Sequence, residues 1–323
     1  MTDSESPAGR VLLERMVLLR RFEETVGQLF ADDEIPGFVH LYIGMEAVAV
    51  GVCAALEDAD YLTSTHRGHG HALAKGLEPK YMMAELFGRE PGYCAGKGGS
   101  MHIADVDRGM LGANGIVAAG TPIGAGAALA STIRGDDRVA VSFLGDGATA
   151  NGPYHEALHL AATWQLPQIY VIENNHYGEM TDVTVQHPVT DLVKQADAYD
   201  VPGEIVNGQD VEAVYRTTTE AVDRARRGDG PTVIECKTYR FRGHYEGDPQ
   251  WYKEEEELPD WRTADPIDEY RRTLRDRGEL TDDEFVDIED AVERIIEEAV
   301  EFARSAPLPD PAAAYEGVFA EEI

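Results

Sequence analysis

The sequence predicts an α/β fold: a mostly parallel sheet flanked by helices, with helical extensions at both ends of the chain. Three observations carry this. Two apolar runs, residues 139–144 (VAVSFL) and 169–172 (IYVI), have the length and β-branched content of buried strands. Residues 151–164 between them read as a helix, which completes a βαβ unit. Each run ends in a polar tip, Gly145-Asp146-Gly147 after the first and Asn174-Asn175 after the second. Both tips fall on the strand edge where open α/β sheets hold ligands.

From the N-terminus, residues 7–33 carry a broad apolar stripe at helical spacing, from Leu12, Leu13 and Met16 to Leu29 and Phe30. Residues 44–56, rich in Ala and Val, predict a buried helix, and 61–65 a short strand ending at His66-Arg67-Gly68. Helices follow near 69–75 and 79–87. Four glycines in 92–99 mark a loop, and 120–132 is a closely packed helix of small residues. Beyond the βαβ unit, 191–199 and 210–227 predict helices and 232–239 a strand. Residues 240–263 are polar and aromatic, broken by Gly243, Gly247, Pro249 and Pro259; a loop that long is as a rule functional or mobile. Residues 265–277 and 281–304 predict a terminal helical pair, the second opened by Thr281 and Glu284 at capping-box spacing. The Pro/Ala-rich stretch 305–323 is expected to be an extended tail against a neighbour. No repeat or long linker divides the chain, so 1–323 is expected to form a single domain.

Composition narrows the function. With 323 residues, 43% of them hydrophobic, the chain buries a large core and is not disordered. Its formal charge of −32, from 60 acids against 28 bases, argues against nucleic acid and anionic membrane surfaces as partners. The acids are spread along the chain, as in proteins of a salt-rich, halophile-like cytoplasm. No apolar run reaches the ~20 residues of a bilayer span. The N-terminus (MTDSESPAGR) lacks the apolar segment of a secretory signal, so a cytoplasmic location is expected. Cys53, Cys94 and Cys236 are scattered and suit a reduced compartment.

The two strand tips define the chemistry. An acid on one and an amide on the other supply oxygen ligands for a hard cation such as Mg²⁺, and the glycines let backbone amides approach a phosphate. Either tip alone is a common turn. Together, at the same ends of consecutive strands, they point to a site for magnesium and a diphosphate.

The pattern G-D-G…N-N resembles the thiamine-diphosphate fingerprint. Further segments resemble the alpha subunit of the E1 (decarboxylating) component of 2-oxoacid and acetoin dehydrogenase complexes: 37–47 (GFVHLYIGMEA), 66–70 (HRGHG), 96–102 (GKGGSMH), 112–117 (GANGIV) and 238–249 (TYRFRGHYEGDP). They stand in family order and cover residues from about 10 to 305. The resemblance implies a thiamine-diphosphate-binding fold and both thiamine diphosphate and Mg²⁺ as cofactors. It implies Asp146 and Asn175 as metal ligands through their side chains and Tyr177 through its carbonyl. Gly147 and Ala148 would meet the diphosphate through the backbone, with Arg67, His66 and His244 offsetting its charge. Gly115 and Val117 would hold the aminopyrimidine side. His40, His69 and His244 are the candidate catalytic residues, with His102 along the same path. His66 stands where many members carry tyrosine.

Each candidate has a plain structural alternative: His40 as a satisfied core histidine, His66 and Arg67 as surface cations, Gly96–Ser100 as a flexible turn, His244 as a solvated loop residue. The histidines of HRGHGH lie among glycines and lack helical i,i+4 spacing, which argues against zinc. Glu46 is expected to be a helix residue only, and the acidic run 254–257 a solvated face.

The diphosphate half uses up the chain, whereas the resemblance implies that the pyrimidine half, with its glutamate, comes from a separate beta subunit in an α₂β₂ heterotetramer. It further implies an oxidoreductase that decarboxylates pyruvate or a branched-chain 2-oxoacid and passes the acyl group to a lipoyl group on an acyltransferase. Acetoin cleavage with the same cofactor is the alternative. Tyr245 stands where animal pyruvate enzymes carry a serine, which excludes serine phosphorylation there. A non-catalytic cofactor-binding scaffold subunit is a reading of another class, which intact Asp146, Asn175, Arg67 and His244 oppose. An unrelated Mg²⁺-nucleotide enzyme is a third, and the missing GxxxxGK[ST] opposes a P-loop.

Overall fold

The computed structural model describes residues 8–253 and 257–315. Helix α1 (Gly9–Ala31) buries its stripe from Leu12 to Leu29, and α2 (Glu46–Ala54) is buried along nearly its whole length. After β1 (Tyr61–Thr63) come α3 (Gly68–Ala74) and α4 (Pro79–Leu86), then β2 (Met110–Gly112) and α5 (Gly120–Arg134). The βαβ unit consists of β3 (Ala140–Gly145), α6 (Gly152–Trp164) and β4 (Gln168–Asn174). A small antiparallel pair, β5 (Tyr177–Gly178) and β6 (Thr181–Asp182), precedes the short α7 (Val183–Gln186). Then follow β7 (Gly203–Asn207), α8 (Val211–Arg226), β8 (Thr232–Lys237), α9 (Glu257–Thr263), α10 (Pro266–Asp276) and α11 (Asp282–Ser305).

The main sheet has the order β2-β1-β3-β4-β8-β7, and each pairing in it is parallel. A parallel sheet needs helices on both faces, and alternate residues of its strands serve the two layers. On β4, Ile169 and Val171 join the core beneath α1, α2, α4, α8 and α11, while Tyr170 and Ile172 join the core beneath α5 and α6. From β1 the chain steps outward to β2, then returns to lay β3 on the other side of β1. This reversal is a topological switch point, which opens a crevice beyond the carboxyl ends of β1 and β3.

The helix expected over 191–199 is present as a 3₁₀ helix, Leu192–Tyr199. Residues 240–263 end in α9 and so are not loop throughout. Strands β2 and β7 carried no sequence signal that marked them as strands. The capping box at Thr281 and Glu284 is present in both directions. Residues 254–256 of the acidic run 254–257, and residues 316–323 of the stretch 305–323, lie outside the described residues. Among the described residues, no helix is long and apolar enough to cross a membrane.

The Gly-rich loop 92–99 is organised from below by one buried acid. Glu85 on α4 accepts hydrogen bonds from the amides of Cys94 (2.8 Å), Gly96 (2.9 Å), Gly98 (2.7 Å) and Gly99 (3.0 Å). These amides are therefore not available to a phosphate. Replacing Glu85 with alanine strands four half-buried donors. It should destabilise the chain by roughly 3 kcal/mol or more. Urea unfolding tests this, and a loss below about 1 kcal/mol would contradict it.

Candidate active site

The crevice encloses about 350 Å³. Its walls come from the carboxyl ends of five strands. Ser64–Arg67 follow β1, Asn114–Ala118 follow β2, Asp146–Ala148 follow β3, Asn175 and Tyr177 follow β4, and Arg240 and His244 follow β8. His40 enters from the segment between α1 and α2.

The lining holds an oxygen cluster. Asp146 is 1% exposed, and its Oδ2 has no hydrogen-bond partner among the described residues. Burial pushes its carboxyl up to about 6, against the pull of the Gly147 amide and Arg240. A buried carboxylate without a partner is costly, and a cation is the natural compensation. The turn that presents it is pinned by Thr149, whose hydroxyl donates to the Asp146 carbonyl at 2.8 Å, and by His187 Nε2 at 3.2 Å from the same oxygen. The Asn175 amide nitrogen faces Met45 Sδ at 3.6 Å, which orients the side chain. Asn175 and Tyr177 line the same crevice as Asp146. Between them His176 is held at φ 74°, in the left-handed region that non-glycine residues rarely occupy. A Cβ at Gly147 would be a tight fit, 3.0 Å from the Gly178 Cα.

Two buried arginines belong to the same lining, and Arg240 Nη1 donates to the Tyr177 carbonyl at 3.5 Å. Arg67 is 3% exposed and donates to the carbonyls of Leu41 (2.9 Å) and His244 (2.7 Å). Burial, then the neighbouring Arg240, pulls it down to about 9. Arg240 is 1% exposed; it donates to the Glu179 carbonyl at 3.0 Å and to the Tyr252 hydroxyl at 2.8 Å. Buried guanidinium groups served by carbonyls await an anion, and the fork geometry of arginine suits phosphate oxygens. In the same lining three imidazoles meet. His40 packs against His66 at 4.8 Å and against His244 at 5.1 Å between ring centroids. His40 Nδ1 and His66 Nε2 are buried without partners among the described residues. The loop holding His244 is closed by Asp248, which accepts from the His244 amide at 2.7 Å and from the Tyr252 hydroxyl at 2.6 Å.

The structure thus gathers His40, His66, Arg67, Gly115, Val117, Asp146, Gly147, Ala148, Asn175, Tyr177 and His244 around one crevice. It does not bring His69 there. His69 is fully buried, with Nδ1 3.0 Å from Glu23 and Nε2 2.9 Å from Ser100. Both ring nitrogens are engaged in the core, so a catalytic role for His69 is set aside. His102 is exposed beside Gly98, outside the crevice lining. Glu46 is buried against Arg20 and the Gly44 amide, a structural residue as expected. Sequence reasoning did not single out Arg240, Ser64 or Glu173. Arg240 stood inside a quoted motif; the other two adjoin apolar strands and carried no separate signal.

Comparison with known proteins bears on this geometry. The family described as dehydrogenase E1 component matches residues 14–312. The alpha subunit of acetoin:2,6-dichlorophenolindophenol oxidoreductase from Bacillus subtilis is 49% identical over 299 residues, spanning 92% of this chain and 89% of that protein. Its counterpart from Cupriavidus necator is 47% identical, spanning 92% and 90%. The pyruvate dehydrogenase E1 component subunit alpha of Rickettsia bellii is 41% identical, spanning 94% and 93%.

Proposed function

The chain belongs to the dehydrogenase E1 component family, and from that premise we propose that it is the alpha subunit of an acetoin- or 2-oxoacid-cleaving enzyme whose crevice holds thiamine diphosphate through Mg²⁺. The observation that carries this reading is that the unpartnered Asp146 oxygen and two buried guanidinium groups line one crevice. Oxygen donors of this kind suit a hard cation, and the opposite charges suit a diphosphate between them.

When bound, the cofactor supplies a thiazolium carbon that adds to a carbonyl and opens an adjacent carbon–carbon bond to cleavage. The chain's own residues bind and orient. Asp146, Asn175 and the Tyr177 carbonyl hold the metal. Arg67 offsets phosphate charge, and His66 and His244 offer ring N–H donors beside it. Gly147 and Ala148 offer backbone amides where a larger residue would close the gap. Gly115 and Val117 support the pyrimidine side. His40 and His244, unprotonated at neutral pH, can each accept or return a proton at the substrate.

The higher identity to the acetoin relatives, 49% and 47% against 41%, favours acetoin as substrate, with pyruvate or a branched-chain 2-oxoacid second. A beta subunit completes the site in this reading. Ile116 (72% exposed) and Val117 (49% exposed) leave an apolar rim on the crevice lining, which a partner chain would cover. A lipoyl-bearing acyltransferase would take the acyl group, in the cytoplasm. We further read 1–323 as a single domain and the net charge of −32 as fitted to a salt-rich cytoplasm.

The test is turnover by the assembled alpha–beta complex with 2,6-dichlorophenolindophenol as acceptor. Acetoin should be cleaved faster than pyruvate, and only with thiamine diphosphate and Mg²⁺ present. Turnover without the cofactor would sink the reading.

The histidines also set a pH dependence. Burial first, then Arg67, lowers His40 to about 3, and the same causes in the same order lower His244 to about 4. In the unfolded chain such groups titrate near ~6.5. The folded values are depressed, so the unfolded chain takes up protons first. This contribution to stability is therefore whole above about pH 6.5 and is lost as pH falls toward about 4. The melting temperature of the cofactor-free complex should fall across that window, and less steeply in His40→Gln. Diphosphate raises the histidine pKa values and should flatten the curve. Identical slopes for wild type and His40→Gln would refute this.

A further inference from the structure

The loop that carries two of the proposed metal ligands turns on one unusual residue. His176, between Asn175 and Tyr177, has φ 74°, where the Cβ of a non-glycine residue is penalised. Such a backbone persists only where its surroundings over-determine it. Both peptide groups of the residue are tied. The His176 amide donates to Asn174 Oδ1 at 3.4 Å, and Asn174 is itself anchored by donating to the buried Glu235 at 2.7 Å. The His176 carbonyl accepts from the Val183 amide at 2.8 Å.

The ring is seated from another part of the chain. Trp261 of α9 meets the His176 ring edge-on, at 5.4 Å between centroids and 69° between planes. The same indole lies nearly parallel to Tyr239, at 5.4 Å and 8°, and Tyr239 meets His176 at 6.0 Å. The next residue of α9, Arg262, places its guanidinium 5.9 Å from the Phe241 ring centroid. Tyr239 and Phe241 flank Arg240, which lines the crevice and donates to the Tyr177 carbonyl at 3.5 Å. Helix α9 therefore braces both the loop and the segment beside it, although neither Trp261 nor His176 belongs to the crevice lining.

We propose that Trp261 is a positioning residue for the metal loop: by seating the His176 ring it holds residue 176 left-handed, and so keeps the Asn175 side chain and the Tyr177 carbonyl turned to one cation. This role rests on the cofactor reading above. Substitutions at 176 separate it from plain packing. Alanine there keeps the penalty of a positive φ and loses the ring, whereas glycine loses the ring and the penalty together. A backbone held by the ring fails with alanine and survives with glycine. A loop that merely needs the contact fails with both.

The experiment is calorimetric binding of Mg²⁺–thiamine diphosphate to the assembled alpha–beta complex, with a melting curve on each preparation. Trp261→Ala and His176→Ala should each weaken binding about tenfold, the scale of one strained backbone residue. His176→Gly should bind within about threefold of wild type. Trp261→Phe, which keeps an aromatic face, should retain most of the affinity. In the His176→Gly background Trp261→Ala should cost nothing further. The two His176 variants leave α9 unaltered, so a failure of Trp261→Ala to fold does not remove the test. The role is overturned if Trp261→Ala binds as wild type does, if His176→Gly loses as much as His176→Ala, or if Trp261→Ala costs as much on top of His176→Gly as it does alone; the cofactor reading then stands. If the wild-type complex binds no Mg²⁺–thiamine diphosphate, both fall.

Discussion

Replacing Asp146 with asparagine should cost more than about 100-fold in Mg²⁺-dependent cofactor affinity, ~3 kcal/mol, while leaving the cofactor-free protein as stable as before or more so. The two effects share one cause. Asp146 Oδ2 is buried without a hydrogen bond among the described residues, and burial pushes the carboxyl up to about 6. A folded-state pKa raised above the unfolded value means that ionisation at neutral pH opposes folding. An amide of the same shape removes that opposition. It also removes the charge that would hold a hard cation against two other oxygen donors. Calorimetry and a melting curve on the same preparation test both halves. Retained Mg²⁺-dependent affinity would rule out the metal assignment, and a fall of several degrees in melting temperature would rule out the account of the cost.

Arg67→Met should act alike from the opposite pole. Cofactor affinity should fall by roughly 100-fold, because a fork of donors facing phosphate is lost from a dry site. The cofactor-free chain should lose little stability. Arg67 is buried beside Arg240 and is matched by the carbonyls of Leu41 and His244. Its removal relieves a charge that burial penalises, and methionine fills much of the space. If Arg67→Met unfolds the chain while leaving cofactor affinity intact in whatever remains folded, Arg67 is a structural residue.

The sequence disclosed what repeats along the chain and hid what converges across it. Strands β3 and β4 were readable because both faces are buried, which leaves near-continuous apolar runs. Asp146, Asn174 and Asn175 stood out because each ends such a run. β2 is three residues long and β7 exposes four of its five, so neither has a pattern to read. The serial cluster HRGHGH behaves differently from its spelling. His69 and His71 turn inward to Glu23 and Glu173, 46 and 102 positions away, and His66 meets His40 and His244 instead. No local spacing encodes those partners. The glycines of 96–99 resemble a phosphate cradle in one dimension, yet their amides are taken by Glu85.

The most direct measurement is anomalous diffraction from the alpha–beta complex crystallised with Mn²⁺ in place of Mg²⁺ and with thiamine diphosphate. The peak should lie roughly 2 Å from a carboxylate oxygen of Asp146, the side-chain oxygen of Asn175 and the Tyr177 carbonyl, with phosphate oxygens completing the shell. A peak among His40, His66 and His244, whose ring nitrogens lie within 4.8 Å of one another, with none at Asp146, would contradict it.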